Sequence, residues 1–487
     1  MYTFKPDFKG AVTALCLTIC ARYAIIGSIR KVFTAGGVNM TDTIAAIATA
    51  PIKSAVGMIR ISGDDALSVC ERVFSKHLGD SPREMITGTF LSPDGTCLDF
   101  GMAVFFRGPK SFTGEDSVEF YCHGSVAVLR EVLNSLFAAG ARPAEPGEFT
   151  RRAFLNDKMD LTQAEAIIDL IDSETTLAAR NAAEQLNGAL GREISEISSA
   201  LAGIAAEFYA FVDYPDDEIE QHERDELSAS LYDIAKRARA LSGSFSKGQL
   251  LRSGVRVAII GRPNVGKSSV LNALLGTDRS IVTDIEGTTR DTVEESLSLN
   301  SIPLHLIDTA GLRDAKDEPE RLGIERSRKA AEDADLLISV FDGAGDMTDY
   351  DAEVLSLSKT KPCICVINKS DLPQSVDKTL FDGLLHIFVS AKENSNIDRL
   401  KDLITEAVGM NDIPCDGKII TNPRHKSAID RAENFIRSAA DSFKNGVFPD
   451  LAVSDIESAI NTLAEITGNY AQESVLSEIF SRFCVGK

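Results

Sequence analysis

Residues 255–270 read VRVAIIGRPNVGKSSV, and this stretch decides the fold of the central part of the chain. Residues 255–260 are mostly apolar and rich in β-branched side chains, which predicts a buried parallel strand. Residues 261–268 fit the phosphate-loop pattern G-x-x-x-x-G-K-[ST], and a helical pattern with Leu271 and Leu274 follows. Strand, loop and helix therefore stand in the order that a nucleotide-binding site requires.

The residues of this loop have predicted roles toward a bound triphosphate. The glycines let backbone N–H groups face the phosphates, and the N-terminus of the following helix adds a favourable dipole. Lys267 would reach the outer phosphates, and the Ser268 hydroxyl would bind Mg²⁺. The predicted nucleotide-binding residues of the loop are Asn264, Val265, Gly266, Lys267, Ser268 and Ser269.

Three further short motifs follow in order, each after an apolar run that predicts a strand. Residues 308–311, DTAG, would place a carboxylate near Mg²⁺ and a backbone N–H near the γ-phosphate. In residues 368–371, NKSD, the Asp371 carboxylate would accept both donors of guanine, which makes the nucleotide GTP. Residues 390–392, SAK, fit the last base-contacting loop of such domains. The residues predicted for this pocket are Asp308, Thr309, Ala310, Gly311, Asn368, Lys369, Asp371, Ser390, Ala391 and Lys392.

The loop TDIEGTT at 283–289 lies between the phosphate loop and the DTAG motif. A threonine here completes Mg²⁺ coordination when the γ-phosphate is present, and Thr289 is the predicted ligand. Leu312 stands where Ras-like enzymes carry a water-orienting Gln. Because leucine cannot orient a nucleophilic water, the polar group must come from a partner or from elsewhere in the chain. The candidates within the chain are Arg313, Glu318 and Glu320.

Composition limits the class of protein. The 487 residues predict about three domains, and 44% hydrophobic residues are enough to bury real cores. The net charge of −21 argues against broad nonspecific nucleic-acid binding, which needs a basic face. The nine cysteines are scattered without a C-x-x-C pair, which indicates a reduced, cytosolic-type compartment and argues against a structural zinc site.

The segments on either side of the nucleotide motifs have different patterns. Between residues 40 and 152, short apolar runs such as 56–61 alternate with turn signals, which predicts a compact α+β domain. From Leu186 to Phe211, apolar residues recur at steps of four or three, which predicts one long packed helix. The run 213–226, with eight carboxylates, is interpreted as a solvated connection, with a metal or basic-partner site as the alternative.

A helical pattern resumes at Asn422-Pro423 and continues toward the C-terminus, so the nucleotide domain is predicted to interrupt one helical domain. Residues 1–39 carry five Lys or Arg and one acid, and their apolar stretch is broken by Arg22, which makes a poor membrane span. They are interpreted as an extension outside the fold rather than a targeting peptide. The predicted divisions are 1–39, 40–155, 156–253, 254–412 and 413–487.

With these motifs in hand, residues 40–487 resemble the MnmE (TrmE) family of tRNA-modification GTPases. The resemblance is carried by GRPNVGKSS, TDIEGTTRD, DTAGLRD, SFTGED, PGEFTRRAFLNDKMDLTQAEA and the terminal FCVGK. It implies a multidomain α/β and α fold, in which an α+β folate-binding and dimerising domain and a helical domain accompany an inserted Ras-like P-loop GTPase domain with a mostly parallel sheet. It also implies a cytoplasmic homodimer without a membrane segment. The homodimer would form a heterotetramer with an MnmG-type flavoprotein that carries the FAD.

The resemblance further implies the reaction and its cofactors. The two proteins install an aminomethyl or carboxymethylaminomethyl group on carbon 5 of the wobble uridine of certain tRNAs, with formyl- or methylene-tetrahydrofolate as the one-carbon source. In this family K⁺ replaces an arginine finger, and GTP hydrolysis requires dimerisation of the nucleotide domains. A ribosome-assembly or regulatory GTPase and a non-enzymatic folate-binding module are the competing interpretations.

Matching residue by residue, the family's functional positions fall on residues throughout the chain. Glu320 would orient the attacking water, and Thr289 would share in catalysis through Mg²⁺, which Ser268 also binds. Cys484 would either take part in the modification chemistry or pack near the C-terminus. The implied K⁺ ligands are Asn264, Thr283, Ile285 and Thr288, and Asp284, Glu286 and Gly287 complete the nucleotide-binding loop. The implied folate-binding residues are Arg60, Glu119, Lys158 and Lys487.

Overall fold

The computed structural model describes residues 42–213, 221–276, 295–299, 302–307, 320–409, 416–445, 449–470 and 472–487. The chain divides into two compact units. Of the described residues, those within 42–168, 185–239 and 427–487 form unit 1, and those within 169–184 and 240–426 form unit 2. The first and last described segments therefore belong to one unit. The phosphate loop and the NKSD sequence at 368–371, called the guanine motif below, belong to the other.

A six-stranded sheet forms the first part of unit 1. Its strands are β1 Ile44–Ile47, β2 Ser54–Ser62, β3 Met85–Leu91, β4 Cys97–Phe106, β5 Ser117–Gly124 and β6 Arg142–Pro143, in the order β3-β4-β5-β2-β1-β6. Only β1 and β6 pair in parallel, and the other neighbours are antiparallel. The apolar run predicted at 56–61 lies within β2, whereas β3 was not predicted.

The two faces of this sheet differ because side chains alternate along each strand. One face buries Ile59, Phe90 and Phe120 against Leu129 and Val132. The last two belong to helix α2 (Val126–Ala138), which packs there beside α1 (Ala66–Glu71). The opposite face carries polar groups and the exposed apolar side chains of Val56, Met85 and Phe100.

Helices make up most of the remaining chain. They are α3 Glu148–Leu155, α4 Leu161–Ile171, α5 Thr176–Leu186, α6 Ala189–Asp213, α7 Gln221–Gly243, α8 Phe245–Ser253, and, after the nucleotide motifs, α13 Pro423–Lys444, α14 Pro449–Thr467 and α15 Glu473–Ser481.

The apolar series predicted to form one long helix lies mainly on α6, where Leu190, Ile194, Ile197 and Leu201 are buried. The predicted start at Leu186 was wrong, because Leu186 ends α5 and Gly188, at φ +84°, breaks the helix. Residues 221–226 of the acidic run are helical in α7, and Asp225 and Glu226 are exposed there.

A second six-stranded sheet forms the centre of unit 2. Its strands are β7 Val255–Ile260, β8 Glu295–Leu299, β9 Ile302–Ile307, β10 Leu336–Asp342, β11 Cys363–Asn368 and β12 Leu385–Phe388, in the order β12-β11-β10-β7-β9-β8. All neighbours are parallel except β8, which pairs antiparallel with β9. The predicted strand at 255–260 is confirmed, and so is the mostly parallel sheet.

Both faces of this sheet are buried, as parallel sheets require. The described helices that follow its strands are α9 Lys267–Leu275, α10 Glu320–Asp333, α11 Asp349–Leu357 and α12 Ile397–Ala407. Val257 and Ile338 belong to one apolar cluster, and Ala258 and Leu337 belong to another. Because the strands run in parallel, their carboxyl ends share one edge, and the residues that follow β7, β10 and β11 are brought together there.

Among the described residues, no helix combines the length and the apolar character needed to span a membrane.

Candidate functional site

The phosphate loop joins β7 to α9, and its backbone requires glycine at two positions. Gly261 has φ +150°, and a Cβ there would lie 2.4 Å from the carbonyl oxygen of Val340. Gly266 has φ +96°, and a Cβ there would lie 2.2 Å from Nδ2 of Asn368. Asn264 has a positive φ of 66°, a conformation that asparagine tolerates better than most residues. The loop thus has the tight path that lets backbone N–H groups face an anion.

Lys267 carries a positive charge at the end of the loop. Its ammonium donates hydrogen bonds to the carbonyl oxygens of Gly261, at 2.8 Å, and Arg262, at 3.0 Å. Burial lowers the pKa of Lys267, because the charged form is removed from water. Ser268 and Ser269 follow in the first turn of α9 and are exposed. A bound phosphate would offset the cost of burying the Lys267 charge.

Asn368 connects the guanine motif to the phosphate loop. Its Nδ2 donates to the carbonyl oxygen of Val265 at 2.9 Å, and its Oδ1 accepts from the backbone N–H of Ala391 at 3.1 Å. One buried side chain therefore joins three predicted nucleotide-binding segments, 264–269, 368–371 and 390–392.

A hydrogen bond fixes the carboxylate of Asp371, the predicted acceptor for the base. The Ser390 hydroxyl donates to its Oδ1 at 2.7 Å, and this hydrogen bond lowers the pKa of Asp371, with smaller contributions from Lys392 and Lys369. The carboxylate is thus ionised at neutral pH and retains lone pairs for two further donors. Guanine offers two donors, N1–H and the 2-amino group, on one edge of the ring, so the geometry suits the predicted base.

Several predicted residues lie outside the described residues. They are Thr283, Asp284, Ile285, Glu286, Gly287, Thr288 and Thr289, then Asp308, Thr309, Ala310 and Gly311, and also Leu312, Arg313 and Glu318. Glu320 is described only as the first residue of α10. Of the predicted Mg²⁺ ligands, the described part contains Ser268, whose hydroxyl oxygen suits a hard cation.

A second polar cluster lies on the open face of the unit 1 sheet. Arg60 donates from Nε and Nη2 to Oε1 of Glu119 at 3.1 and 3.0 Å, and the Tyr121 hydroxyl donates to Oε2 at 2.8 Å. Burial and the hydrogen bond to Glu119 raise the pKa of Tyr121 to about 12. The Arg60 guanidinium lies 5.1 Å from the ring centroid of Phe112 and 5.9 Å from that of Phe149. Adjacent strands bring Arg60 and Glu119 together in register.

Lys158 contacts the loop that carries Phe112. Its ammonium donates to the carbonyl oxygen of Pro109 at 2.8 Å, and the neighbouring Asn156 donates from Nδ2 to the carbonyl oxygen of Thr113 at 2.8 Å. Lys158 is therefore fixed to the same loop whose aromatic ring covers Arg60, and its side chain is exposed.

The C-terminus returns to the first domain. Val485 forms an isolated antiparallel bridge with Pro146, three residues before Phe149. Gly486 has φ +98°, and a Cβ there would lie 2.4 Å from the carbonyl oxygen of Ile47, so only glycine fits this approach. Cys484 is exposed, and Lys487 is partly buried. The structure thus brings the C-terminal residues to the segment that also supports Arg60.

Sequence reasoning missed roles for Tyr121, Phe112 and Phe149, although Phe112 and Phe149 stand inside the quoted motifs SFTGED and PGEFTRRAFLNDKMDLTQAEA. An aromatic residue within a polar cluster was the available signal, because rings that stack on guanidinium groups are common partners of arginine. It also missed Asp342, which ends β10 at the edge of the sheet where the predicted nucleotide-binding segments meet. Asp308 was predicted to end another strand in the same way.

Comparison with known proteins assigns the family. Two family models match the chain: the GTP-binding protein TrmE N-terminus over residues 43–158, and the MnmE helical domain over residues 161–484. A curated relative from Roseiflexus castenholzii, named tRNA modification GTPase MnmE, is 43% identical over 92% of this chain and 99% of its own length. The relative of the same name from Thermoanaerobacter pseudethanolicus is 39% identical over the same shares. The chain belongs to the MnmE family. The two matched ranges, 43–158 and 161–484, include residues of both units.

Two solved G domains each cover about a third of this chain. The G domain of the T. maritima FeoB iron transporter is 28% identical, with 31% of this chain and 98% of that chain covered and a TM-score of 0.24. The FeoB G-domain from Methanococcus jannaschii is 24% identical, with 32% and 98% covered and a TM-score of 0.25. Assignment to the MnmE family therefore rests on the full-length relatives.

Proposed function

We propose that this member of the MnmE family is a K⁺-dependent GTPase, activated by dimerisation of its nucleotide domain, that acts on tRNA with an MnmG-type flavoprotein. The two proteins would add an aminomethyl or carboxymethylaminomethyl group to carbon 5 of the wobble uridine. Formyl- or methylene-tetrahydrofolate would supply the methylene carbon. The observation that carries this proposal is the 43% identity to a curated tRNA modification GTPase over 92% of the chain.

GTP is the substrate of the nucleotide domain, and the proposal assigns its two cations. Ser268 and Thr289 would hold Mg²⁺, and Asn264, with Thr283, Ile285 and Thr288, would hold K⁺. Hydroxyl, amide and carbonyl oxygens suit such hard cations, and Asn264 is exposed on the loop. The cations supply positive charge that stabilises the charge developing on the γ-phosphate. Glu320 at the start of α10 would orient the attacking water.

Hydrolysis is expected to be about tenfold or more faster in K⁺ than in Na⁺ at equal ionic strength, because K⁺ would replace an arginine finger. Steady-state release of phosphate by the full chain at saturating GTP measures this difference. As a control, Asn264→Ala should remove most of the K⁺ preference while GDP affinity stays within about threefold. Equal hydrolysis rates in the two salts would contradict the proposed role of K⁺.

The Arg60–Glu119–Tyr121 cluster supports the folate part of the proposal. A carboxylate offers about four lone-pair positions, and Arg60 and Tyr121 together donate three hydrogen bonds to Glu119. Acceptor capacity therefore remains for about one hydrogen bond from the donor edge of a pterin. Lys158 and the terminal Lys487 would attract the glutamate tail of the folate, and exposed Cys484 would lie near the one-carbon unit.

The open face of the unit 1 sheet supports a homodimer. Val56, Met85 and Phe100 are exposed by 52%, 54% and 67%, and they share this face with Arg60 and Glu119. Large exposed apolar side chains on one sheet face are typical of an interface between proteins. A second copy of the chain is the proposed occupant, which would place the folate cluster near the dimer interface.

The charge of the chain supports a flavoprotein partner that shares in tRNA binding. At a net charge of −21, the chain alone is poorly suited to neutralise many tRNA phosphates. The MnmG-type partner would therefore contribute basic surface as well as FAD, and the heterotetramer would work in the cytoplasm.

Loss of the protein is expected to remove the modification from the wobble uridine. Liquid chromatography and mass spectrometry of tRNA nucleosides from cells with and without the gene measure the modified uridines. Re-expression of the full chain should restore them, and re-expression of Glu119→Gln should restore less. Unchanged wobble uridines would reject the proposed function and favour a ribosome-assembly or regulatory GTPase.

A further inference from the structure

Four charged side chains form a cluster beside the GTP site, and the functional assignment gives no role to three of them, Arg262, Asp342 and Asp351. Arg262 is the second residue of the phosphate loop, Asp342 ends β10, Asp351 lies in the first turn of α11, and Lys369 belongs to the guanine motif. We call these residues the Arg262 cluster. The cluster contains two cations and two carboxylates, so its formal charges cancel.

Asp342 stands between the two cations. Its Oδ2 accepts a hydrogen bond from the Lys369 ammonium at 2.6 Å and lies 3.8 Å from Nη2 of Arg262. Its Oδ1 accepts from the backbone N–H of Ala344 at 3.1 Å, which fixes the carboxylate. The backbone approaches Arg262 closely here, since a Cβ on Gly345 would lie 3.0 Å from Nη2. The Asp342 carboxylate thus lies between the phosphate loop and the guanine motif.

Asp351 binds Arg262 from the other side. Its Oδ2 lies 3.1 Å from Nε of Arg262 and also accepts hydrogen bonds from the backbone N–H and the hydroxyl of Thr348. The Thr348 hydroxyl in turn accepts from the backbone N–H of Asp351, which completes the capping box of α11. Asp351 is 2% exposed, and its Oδ1 has no hydrogen-bond partner among the described residues. A buried carboxylate needs a nearby cation, so Arg262 is held in place by the electrostatics of the sheet edge.

The phosphate loop and the guanine motif are therefore connected by two routes. One is neutral and runs through the Asn368 amide to Val265. The other is ionic and runs from Arg262 through Asp342 to Lys369. We propose that Arg262 is a positioning residue for the nucleotide. It acts through Asp342, holding the Lys369 side chain and the guanine motif in the arrangement that accepts the base.

This role predicts a specific pattern of nucleotide affinities. Arg262→Met removes the positive charge of residue 262 but keeps most of the side-chain length. Asp342→Asn removes the negative charge that lies between Arg262 and Lys369 on the ionic route. Each variant should bind GTP and GDP about tenfold more weakly, and by the same factor for both, because the guanine contacts are common to the two nucleotides. The double variant should be no more than about twofold weaker than either single variant, because the residues act on one route. At saturating GTP, kcat should change by less than about twofold.

The chain offers a matched control at the opposite edge of the same sheet. Arg256, near the start of β7, pairs with Asp335 at 3.0 Å, just before β10 begins. Arg256→Met removes an ion pair between the same two strands, far from the phosphate loop. Its nucleotide affinity should match that of the parent chain. Arg262→Lys keeps the charge and should retain affinity within about threefold.

Fluorescence titration of the full-length variants with labelled GDP and a labelled non-hydrolysable GTP analogue measures both affinities. Four results would overturn the proposal: unchanged affinity in Arg262→Met, a loss confined to the GTP analogue, a fall in kcat at unchanged affinity, or losses that multiply in the double variant. If Arg262→Met does not fold, the Asp342→Asn affinities decide by the same criteria. The proposal rests on GTP binding alone, so it stands or falls independently of K⁺ activation and of tRNA modification.

Discussion

Replacing Asp371 by Asn is expected to weaken GTP binding by about three orders of magnitude and to improve binding of xanthosine triphosphate. The carboxylate is the predicted acceptor of two guanine donors, and its Oδ1 is already held by Ser390 at 2.7 Å. A site built around such hydrogen bonds discriminates strongly when one partner is changed. An asparagine amide would accept from N1–H but direct its own N–H toward the 2-amino group, where two donors would face each other. Xanthine has an oxygen at that position and accepts the amide hydrogen.

Competition binding of GTP, ITP and xanthosine triphosphate to the full-length variants measures this change of specificity. Asp377→Asn is a suitable control, because Asp377 is another carboxylate of unit 2 whose Oδ1 accepts from the backbone N–H of Thr379, at the start of a short 3₁₀ helix. It should leave the order of affinities unchanged. If Asp371→Asn still prefers GTP by the original margin, the guanine contact lies elsewhere.

The phosphate loop and the guanine motif could be predicted from the sequence because their chemistry is local. A strand, a glycine turn and a helix N-terminus follow one another in 255–270, and the hydrogen-bonding groups come from consecutive residues. The parallel sheet then brings such segments to one edge, whatever lies between them in the chain. The observed bond from Asn368 to Val265 is a consequence of that rule.

The charge pairs could not be predicted in the same way. Arg60 meets Glu119 because β2 and β5 pair in one register, and a shift by one residue would put Glu119 on the other face. Arg262 meets Asp342 across two neighbouring strands for a similar reason. Such partners depend on register and on the packing of distant segments, which hydrophobic periodicity does not specify. Strand β3, which was not predicted, carries Gly88. A Cβ there would lie 2.5 Å from the Phe74 ring, so contact with a residue of another segment favours glycine at this position.

Replacing Arg152 by Met is expected to destabilise unit 1 by about 3–5 kcal/mol, the usual cost of removing one partner from a buried ionic network. Arg152 is 1% exposed. It donates to Oδ1 of Asp42 at 2.8 Å, to Oε1 of Glu148 at 2.9 Å and to Oε2 of Glu115 at 3.1 Å. Without Arg152, the carboxylates of all three partners remain close together. Arg142 pairs with two of them, Asp42 and Glu148. Packing of Met cannot replace that charge.

Arg151→Met is the matched control, since the neighbouring Arg151 pairs with the exposed Glu473 and should contribute about 1 kcal/mol or less. Urea unfolding of the full chain, followed by circular dichroism, measures the loss. Hydrogen exchange of peptides from 142–155 should show the faster exchange in Arg152→Met only. Equal losses in the two variants would mean that the buried network contributes no more than a surface ion pair.

The pH dependence gives this prediction a second, independent readout. Burial raises the pKa values of Asp42 and Glu148, but hydrogen bonds from Arg142 and Arg152 more than offset that effect, so both pKa values lie below the ordinary carboxyl value. A lowered carboxyl pKa stabilises the fold above the unfolded pKa of about 4, and this stabilisation is lost as pH falls through the folded value. The stability difference between the parent chain and Arg152→Met should therefore be full at neutral pH and should shrink below about pH 4, as the partners of Arg152 become protonated. A difference that stays constant with pH would show that Arg152 stabilises unit 1 by packing rather than by charge.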